Sequence, residues 1–265
     1  MIRVPAFLVV GGGEAGAFYV RQLRRAAASG ALATDRIVVI DRDPACRVRA
    51  EAGLADDPRV RVETADWAEW LAAHLRDADP RAHLVPYHWA PHLLLGWLED
   101  ELDRAGASTE RGGDVAPRGL PFETTTQAGD RALSYASWSC PPTCIEPALC
   151  PHTRGPKGWS LAADLESGDG GTTEPVVFRC THLVYGVGTI PVGDILAARD
   201  RLRAGLADGR RSYLVATSSH CHALATRLDV WPHQGDDRPS RARMRGMGSR
   251  PDSVERYQTQ PSPFE

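Results

Sequence analysis

Nowhere in the 265 residues does an apolar run approach the ~18 consecutive residues a membrane-spanning helix needs. The apolar opening Val4-Pro5-Ala6-Phe7-Leu8-Val9-Val10 is too short for the core of an export signal and runs straight into glycines, so we read it as a strand. Excess basic charge is lacking too. A formal net charge of −3 and a pI of about 6.3 argue against the broad positive field of a nucleic-acid binder. No internal repeat is visible, which argues against a repeat architecture, and no clear acid–base constellation stands out.

What is present suits a packed α/β domain. The apolar fraction of 42% supports a core, and the length fits one large domain or one domain with an insertion. Without an export signal the expected location is cytoplasmic, where clustered cysteines serve as ligands or redox groups more often than as disulfides.

Strands and helices alternate along the first half. Phe7 to Val10 reads as a strand. Glu14 to Ala28 reads as a helix with Ala17, Val20, Leu23 and Ala27 at three-and-four spacing. Ile37 to Ile40 and Val60 to Glu63 read as strands. His83 to Tyr87 is a weaker one because of its proline, and Trp67 to Leu75 reads as a helix whose tryptophans, with Trp97, face a core. Asp43-Pro44 predicts a helix start, and Pro91 another. Residues 106–181 are rich in Gly, Pro, Thr and Ser. We read them as an insertion with at most one hairpin, Ser160 to Leu165 against Val176 to Arg179. Alternation resumes with a strand at Leu183 to Val187, a helix from Asp194 to Leu206, a strand at Tyr213 to Ala216 and a short helix at His222 to Leu228.

The pattern predicts an α/β fold, a three-layer, doubly wound, mostly parallel sheet with a Cys-rich loop insertion. Its expected parts are a nucleotide-binding half at 1–105, the insertion at 106–181, remaining strands and helices of the same sheet at 182–231, and a flexible tail at 232–265. Ligands of such sheets bind outside the carboxyl ends of the strands. Those ends fall at Gly11 to Gly16, Asp41, Asp66, His88, Gly186 to Thr189 and Ser218 to His222.

Gly11-Gly12-Gly13-Glu14-Ala15-Gly16 fits G-x-G-x-x-G in the context the motif needs, after a strand and opening a helix. Gly11 permits the tight turn, Gly13 lets a phosphate approach the backbone, and Gly16 lets helix and strand pack closely. The helix N-terminus offers free N–H groups to an anion. Asp41, 25 residues after Gly16, is placed to accept from ribose hydroxyls. Through VVGGGEAG and VVIDRDP, residues ~5–75 resemble the dinucleotide-binding Rossmann family, including potassium-channel regulatory NAD-binding domains. That resemblance implies a Rossmann-like fold and NAD or NADP at Gly11, Gly13, Gly16 and Asp41. Through GGGEAG, IDRDP, Asp57 to Val62 and Asp66, the same stretch is similar to aminopropyltransferases and methyltransferases, which implies S-adenosylmethionine or its decarboxylated form. Where that family places a catalytic aspartate, this chain has Tyr87-His88-Trp89. Glu14 would repel a pyrophosphate, and Arg42 would soften that repulsion or favour a 2′-phosphate.

Ser139 to His152, SCPPTCIEPALCPH, holds three of the six cysteines. Four prolines keep it from being a helix. Cys140, Cys144, Cys150 and His152 offer a Cys3His set for zinc, and Cys-Pro pairs also suit an iron–sulfur cluster, though the spacing matches neither standard pattern. A metal would hold together a loop with little core of its own. Cys221, between His220 and His222, and Cys180 are placed to complete a site; Cys46 and Cys180 also suit core packing. His88 and Cys221 are the catalytic candidates. Gly186-Val187-Gly188-Thr189 resembles a second phosphate-contacting turn.

Three functions follow. The first is an NAD(P)-binding redox protein with a cysteine-held metal near the cofactor cleft. The second is an S-adenosylmethionine-dependent group transferase. The third is a non-catalytic nucleotide-binding module whose insertion or tail docks a protein partner. Neither nucleic acid nor membrane is expected as a partner.

Overall fold

A computed structural model describes residues 1–86, 92–112, 119–138, 140, 144, 146–168 and 173–233. The first part of the chain runs β1 (Ile2–Arg3), β2 (Ala6–Val10), α1 (Glu14–Ala28), β3 (Leu32–Ala33), β4 (Arg36–Asp41), α2 (Arg47–Ala50), β5 (Val60–Thr64), α3 (Trp67–His74), β6 (His83–Val85) and α4 (Leu93–Arg104). The second part runs β7 (Ala107–Gly112), β8 (Phe122–Thr125), β9 (Arg131–Ser134), α5 (Leu161–Glu166), β10 (Glu174–Arg179), β11 (Thr181–Val184), β12 (Val187–Pro191), α6 (Val192–Ala204), β13 (Arg211–Ser218) and β14 (His222–Pro232).

The fold is mixed α/β with three sheets. A two-stranded parallel pair joins β1 to β3. The first large sheet has the order β11-β12-β6-β2-β4-β5, in which β5, β4, β2 and β6 are parallel and β12 and β11 add antiparallel strands beyond β6. The second has the order β10-β13-β14-β9-β8, with β7 beside the far half of β14. Here β10 and β13 are parallel and the other pairs antiparallel.

Alternation along the strands decides what covers each face. Phe7, Val9, Ile37 and Val39 point to α1 and pack on Ala17, Val20 and Leu23. Ala6, Leu8, Val10, Val38 and Ile40 point the other way, onto α3, α4 and α6. That helical layer is shared, because Phe178, Tyr213, Val215 and Val230 of the second sheet bury against it. The outer face of the second sheet carries Leu214, Ala216, Ala223 and Ala225 under Leu161 and Leu165 of α5. The result is a five-layer stack of helix, sheet, helices, sheet and helix, where one sheet with an insertion was expected.

Several expected elements change identity. Ser160 to Leu165 is not a hairpin strand: the Ser160 hydroxyl accepts from Ala163 N–H and starts α5. His222 to Leu228 is the start of the long strand β14, which pairs with β13 on one side and with β9 and then β7 on the other. Its alanines read as helix-forming locally, but α5 packs close above them, so small residues are needed in a strand buried on both faces. Gly186 is no phosphate loop. Tyr185 and Gly186, at φ +47° and +78°, turn β11 back into β12 as a two-residue hairpin. Residues 106–181 supply four strands of the second sheet, β7, β8, β9 and β10, and the helix α5. The expected helix start at Pro91, His88 and residues 234–265 of the tail lie outside the described residues.

Gly11 and Gly16 take the structural roles their spacing predicts. Gly11 has φ +86°, a conformation a side chain would strain. A Cβ on Gly16 would stand 2.0 Å from the Gly11 carbonyl oxygen, so only glycine lets α1 start this close to β2. At Gly13 nothing lies within 4 Å of that position. Gly16→Ala is therefore expected to cost ~2–4 kcal/mol in urea unfolding. Gly13→Ala is expected to stay within about 1 kcal/mol of the parent. Equal losses at both sites would contradict this packing.

Candidate functional site

Val10 ends β2 and Pro86 follows β6. The chain passes from β2 to β4 and β5 on one side, then returns to place β6 on the other side of β2. The carboxyl end of such a reversal is a crevice by construction. A cavity of about 140 Å³ opens there, lined by Val10, Leu84 and Pro86 from the first sheet and by Ser218, Cys221 and His222 from the second.

Five of the six cysteines line this cavity, namely Cys140, Cys144, Cys150, Cys180 and Cys221. All are free thiols. The cysteine loop is held against the β13–β14 turn by one carboxylate. Glu146 accepts hydrogen bonds from Ser219 Oγ at 2.6 Å, His220 N–H at 2.9 Å and Cys221 N–H at 3.2 Å. Its own N–H donates to Cys144 Sγ at 3.4 Å. Glu146 has φ +47°, a left-handed conformation that costs a non-glycine residue ~1–2 kcal/mol. The charge-assisted bonds offset that cost. Burial opposes ionisation of Glu146, but the Ser219 and His220 bonds and the nearby His222 and His182 outweigh it and hold the carboxyl below its usual range.

Cys150 sits in a second small frame. Its N–H donates to Gly155 O at 2.9 Å, Arg154 N–H returns to Cys150 O at 2.8 Å, and Leu149 bridges Pro156. Inside this closed loop the backbone N–H groups of Thr153 and His152 point at Cys150 Sγ and, with Lys157 nearby, lower its pKa. Burial pushes Cys140, Cys221 and Cys180 the opposite way: Cys140 is raised, with Cys144 and Cys150 adding to the effect, Cys221 is pushed up to about 11 and Cys180 to about 12. The indole N–H groups of Trp138 and Trp159 stand beside Cys140 and Cys221 without reaching conventional hydrogen-bond geometry among the described residues.

Lys157, the chain's single lysine, lines the cavity and forms no ion pair among the described residues. His182 and His222 also line it, and burial lowers both. His92, 4% exposed, completes the wall at the start of α4. Its Nε2 meets Thr217 Oγ1 at 3.1 Å, and Nδ1 has no partner among the described residues. Burial lowers its pKa to about 4 despite Asp130 nearby, with Arg111 and Glu99 also facing it.

The expected site residues divide clearly. Cys140, Cys144, Cys150 and Cys221 are brought together. His152 is not with them: its imidazole is exposed and stacks on Trp138 at 4.4 Å. Among the described residues, no three His, Cys, Asp or Glu donors converge closely enough to hold one metal ion. Cys46 packs against Gly12, its sulfur 2.6 Å from where a Cβ there would stand. Asp41 is 5% exposed and accepts from Gly12 N–H at 2.5 Å and Asp43 N–H at 2.9 Å, so its carboxylate closes the glycine turn. Asp66 caps α3 through Ala68 and Glu69 N–H and pairs with Arg42 at 2.7 Å. The residue beside Glu14 is Arg47, at 3.6 Å, and not Arg42. Glu146, Lys157, His92 and His182 were missed. The available signals were a carboxylate between two cysteines and a lone lysine just after the third.

Residues 94–231, just over half of the chain, match the family AF_1314_C, described as "Uncharacterized protein, C-terminal domain". The chain belongs to this family. No curated protein and no solved structure matches the chain. The AF_1314_C segment runs from α4 to β14 and carries every cysteine of the cavity, Glu146, Lys157, His182 and His222, while the glycine turn lies before it.

The buried neutral His92 makes stability depend on pH. In the unfolded chain an imidazole binds its proton below about 6.5, whereas the folded site does so only below about 4. Stability should therefore fall, as pH drops from about 6.5 to about 4, by up to about 1.4 kcal/mol per pH unit from this group. Urea unfolding of His92→Gln should show that much less slope in the window; an unchanged slope would contradict a neutral buried His92.

Proposed function

We propose that the protein is a Rossmann-type, NAD(P)-binding redox protein whose cofactor edge opens onto a thiolate-lined metal site. One observation carries the proposal: a cavity with five cysteines lies at the carboxyl end of β2, directly before the glycine turn. Further support comes from the parallel order β5-β4-β2-β6, which is third, second, first, fourth in chain order, as in a dinucleotide-binding half.

Each residue has a physical task in this proposal. Gly13 leaves room for a phosphate, and the first turn of α1, which no side chain caps, supplies N–H donors and the positive end of its dipole. Arg47 offsets the charge of Glu14. Asp41 orders the turn through Gly12 before any ligand arrives. Leu71, Leu84, Leu93 and Leu94 exclude water from the cavity. The imidazoles of His182 and His222 line the cavity beside the Glu146 carboxylate. A bound nicotinamide would supply hydride chemistry, and the protein the position and the electrostatics. Cys140, Cys144, Cys150 and Cys221 are the thiols we assign to the metal.

The test is a thermal-shift titration of the full chain with NAD, NADP and S-adenosylmethionine, on the parent and on Gly13→Val. We expect NAD or NADP to stabilise the parent by about 2.7 kcal/mol at a hundredfold excess over Kd. Gly13→Val should fold and lose that response, because its side chain fills the open approach. Stabilisation by S-adenosylmethionine alone would favour group transfer, and no response to any of the three would remove the nucleotide from the proposal.

A further inference from the structure

We propose that the cavity is built to hold an iron–sulfur cluster on Cys140, Cys144, Cys150 and Cys221, and not a single ion on Cys140, Cys144, Cys150 and His152. The inference rests on the metal part of the function proposed above and goes further, to the kind of metal centre and its ligands.

The first argument is spacing. A tetrahedral zinc site needs all its sulfurs about 2.3 Å from one point, hence within about 4 Å of each other. No three donors among the described residues converge that way. The thiols instead line a shared cavity of about 140 Å³. Cys140 is central among them, near enough to Cys144, Cys150 and Cys221 for their charges to interact. A cluster carries its own bridging sulfide and is gripped from outside by thiolates spread around it, which matches this layout.

The second argument is hydrogen bonding to sulfur. Cys150 Sγ receives the backbone N–H of His152 and of Thr153. Cys144 Sγ receives Glu146 N–H at 3.4 Å. The buried indole N–H groups of Trp138 and Trp159 lie next to Cys140 and Cys221. Each of the four sulfurs therefore has an N–H beside it, and such donors stabilise ligating thiolates and tune a cluster's potential. His152 takes part through its backbone, while its ring stacks on Trp138. Cys180 is left out: it packs against Gly188, its sulfur 2.9 Å from where a Cβ there would stand.

The third argument is charge and water. Four thiolates around a cluster leave a net negative centre, and Lys157 is the one Lys or Arg among the described residues lining the cavity. Leucine walls from α3, β6 and α4 keep water from the sulfide.

The full chain, reconstituted anaerobically with ferric iron, sulfide and excess dithiothreitol, is to be assayed for iron, acid-labile sulfide, zinc and visible absorption. We expect iron and sulfide in equal amounts, about two or four of each per chain, with an absorption band that dithionite bleaches. Cys221→Ser should lose more than half of the iron, and His152→Ala should keep it. Should Cys221→Ser not fold, Trp159→Phe, which deletes the N–H beside Cys221, should shift the cluster's reduction potential, and Trp97→Phe should not. One zinc or iron per chain without sulfide would overturn the cluster and leave a single-ion site. Full iron retention in folded Cys221→Ser, or an unmoved potential in Trp159→Phe, would overturn the ligand set. Failure to take up any metal would end both this inference and the metal part of the proposed function. Neither result depends on the response to nucleotide.

Discussion

The carboxylate of Glu146 is the contact on which the site depends. It lies in the irregular loop between Cys144 and Cys150, and it grips three groups of the turn between β13 and β14. Without it, the cysteine loop would have little reason to lie against Cys221, which follows it by some seventy residues. A half-buried carboxylate with three donors and two imidazoles close by resists protonation, so the grip should persist across the neutral range. The left-handed backbone of Glu146 is a local cost that only a fixed partner surface can offset.

That surface exists because the molecule has two large sheets. The shared helical layer of α3, α4 and α6 gives the first sheet one of its two covers and the second sheet its inner one. It also sets the second sheet's β13–β14 turn near the carboxyl end of β2. The AF_1314_C segment supplies the thiols, the clamp and the single lysine, and the preceding residues supply the glycine turn and part of the apolar wall. The glycine turn and the thiol-lined cavity are thus placed side by side by layer packing, with no motif shared between them.

What could be read in advance follows the range of the forces involved. The strand–glycine–helix unit was legible because each glycine answers a local need, a positive φ at Gly11 and a close carbonyl at Gly16. Packing of the tryptophans followed from periodicity, and that of Cys46 from the apolar character of a free thiol. The second sheet was not legible: β8 and β9 are short and partly polar, and β14 is alanine-rich, so their identity comes from long-range pairing. The loop cysteines were recognisable as a group, but spacing favoured the neighbouring His152 over Cys221. Stacking on Trp138 withdraws His152, and the Glu146 clamp brings Cys221 in, and neither is a local property.

The most direct measurement of this arrangement is thiol cross-linking in the metal-free full chain with dibromobimane, mapped by mass spectrometry. The account predicts a Cys140–Cys221 or Cys150–Cys221 link in the parent. Its yield should fall at least tenfold in Glu146→Ala, since a single charge-assisted hydrogen bond is worth about 1.5 kcal/mol or more. A parent protein in which Cys221 links to none of Cys140, Cys144 and Cys150, or links equally well without Glu146, would contradict it.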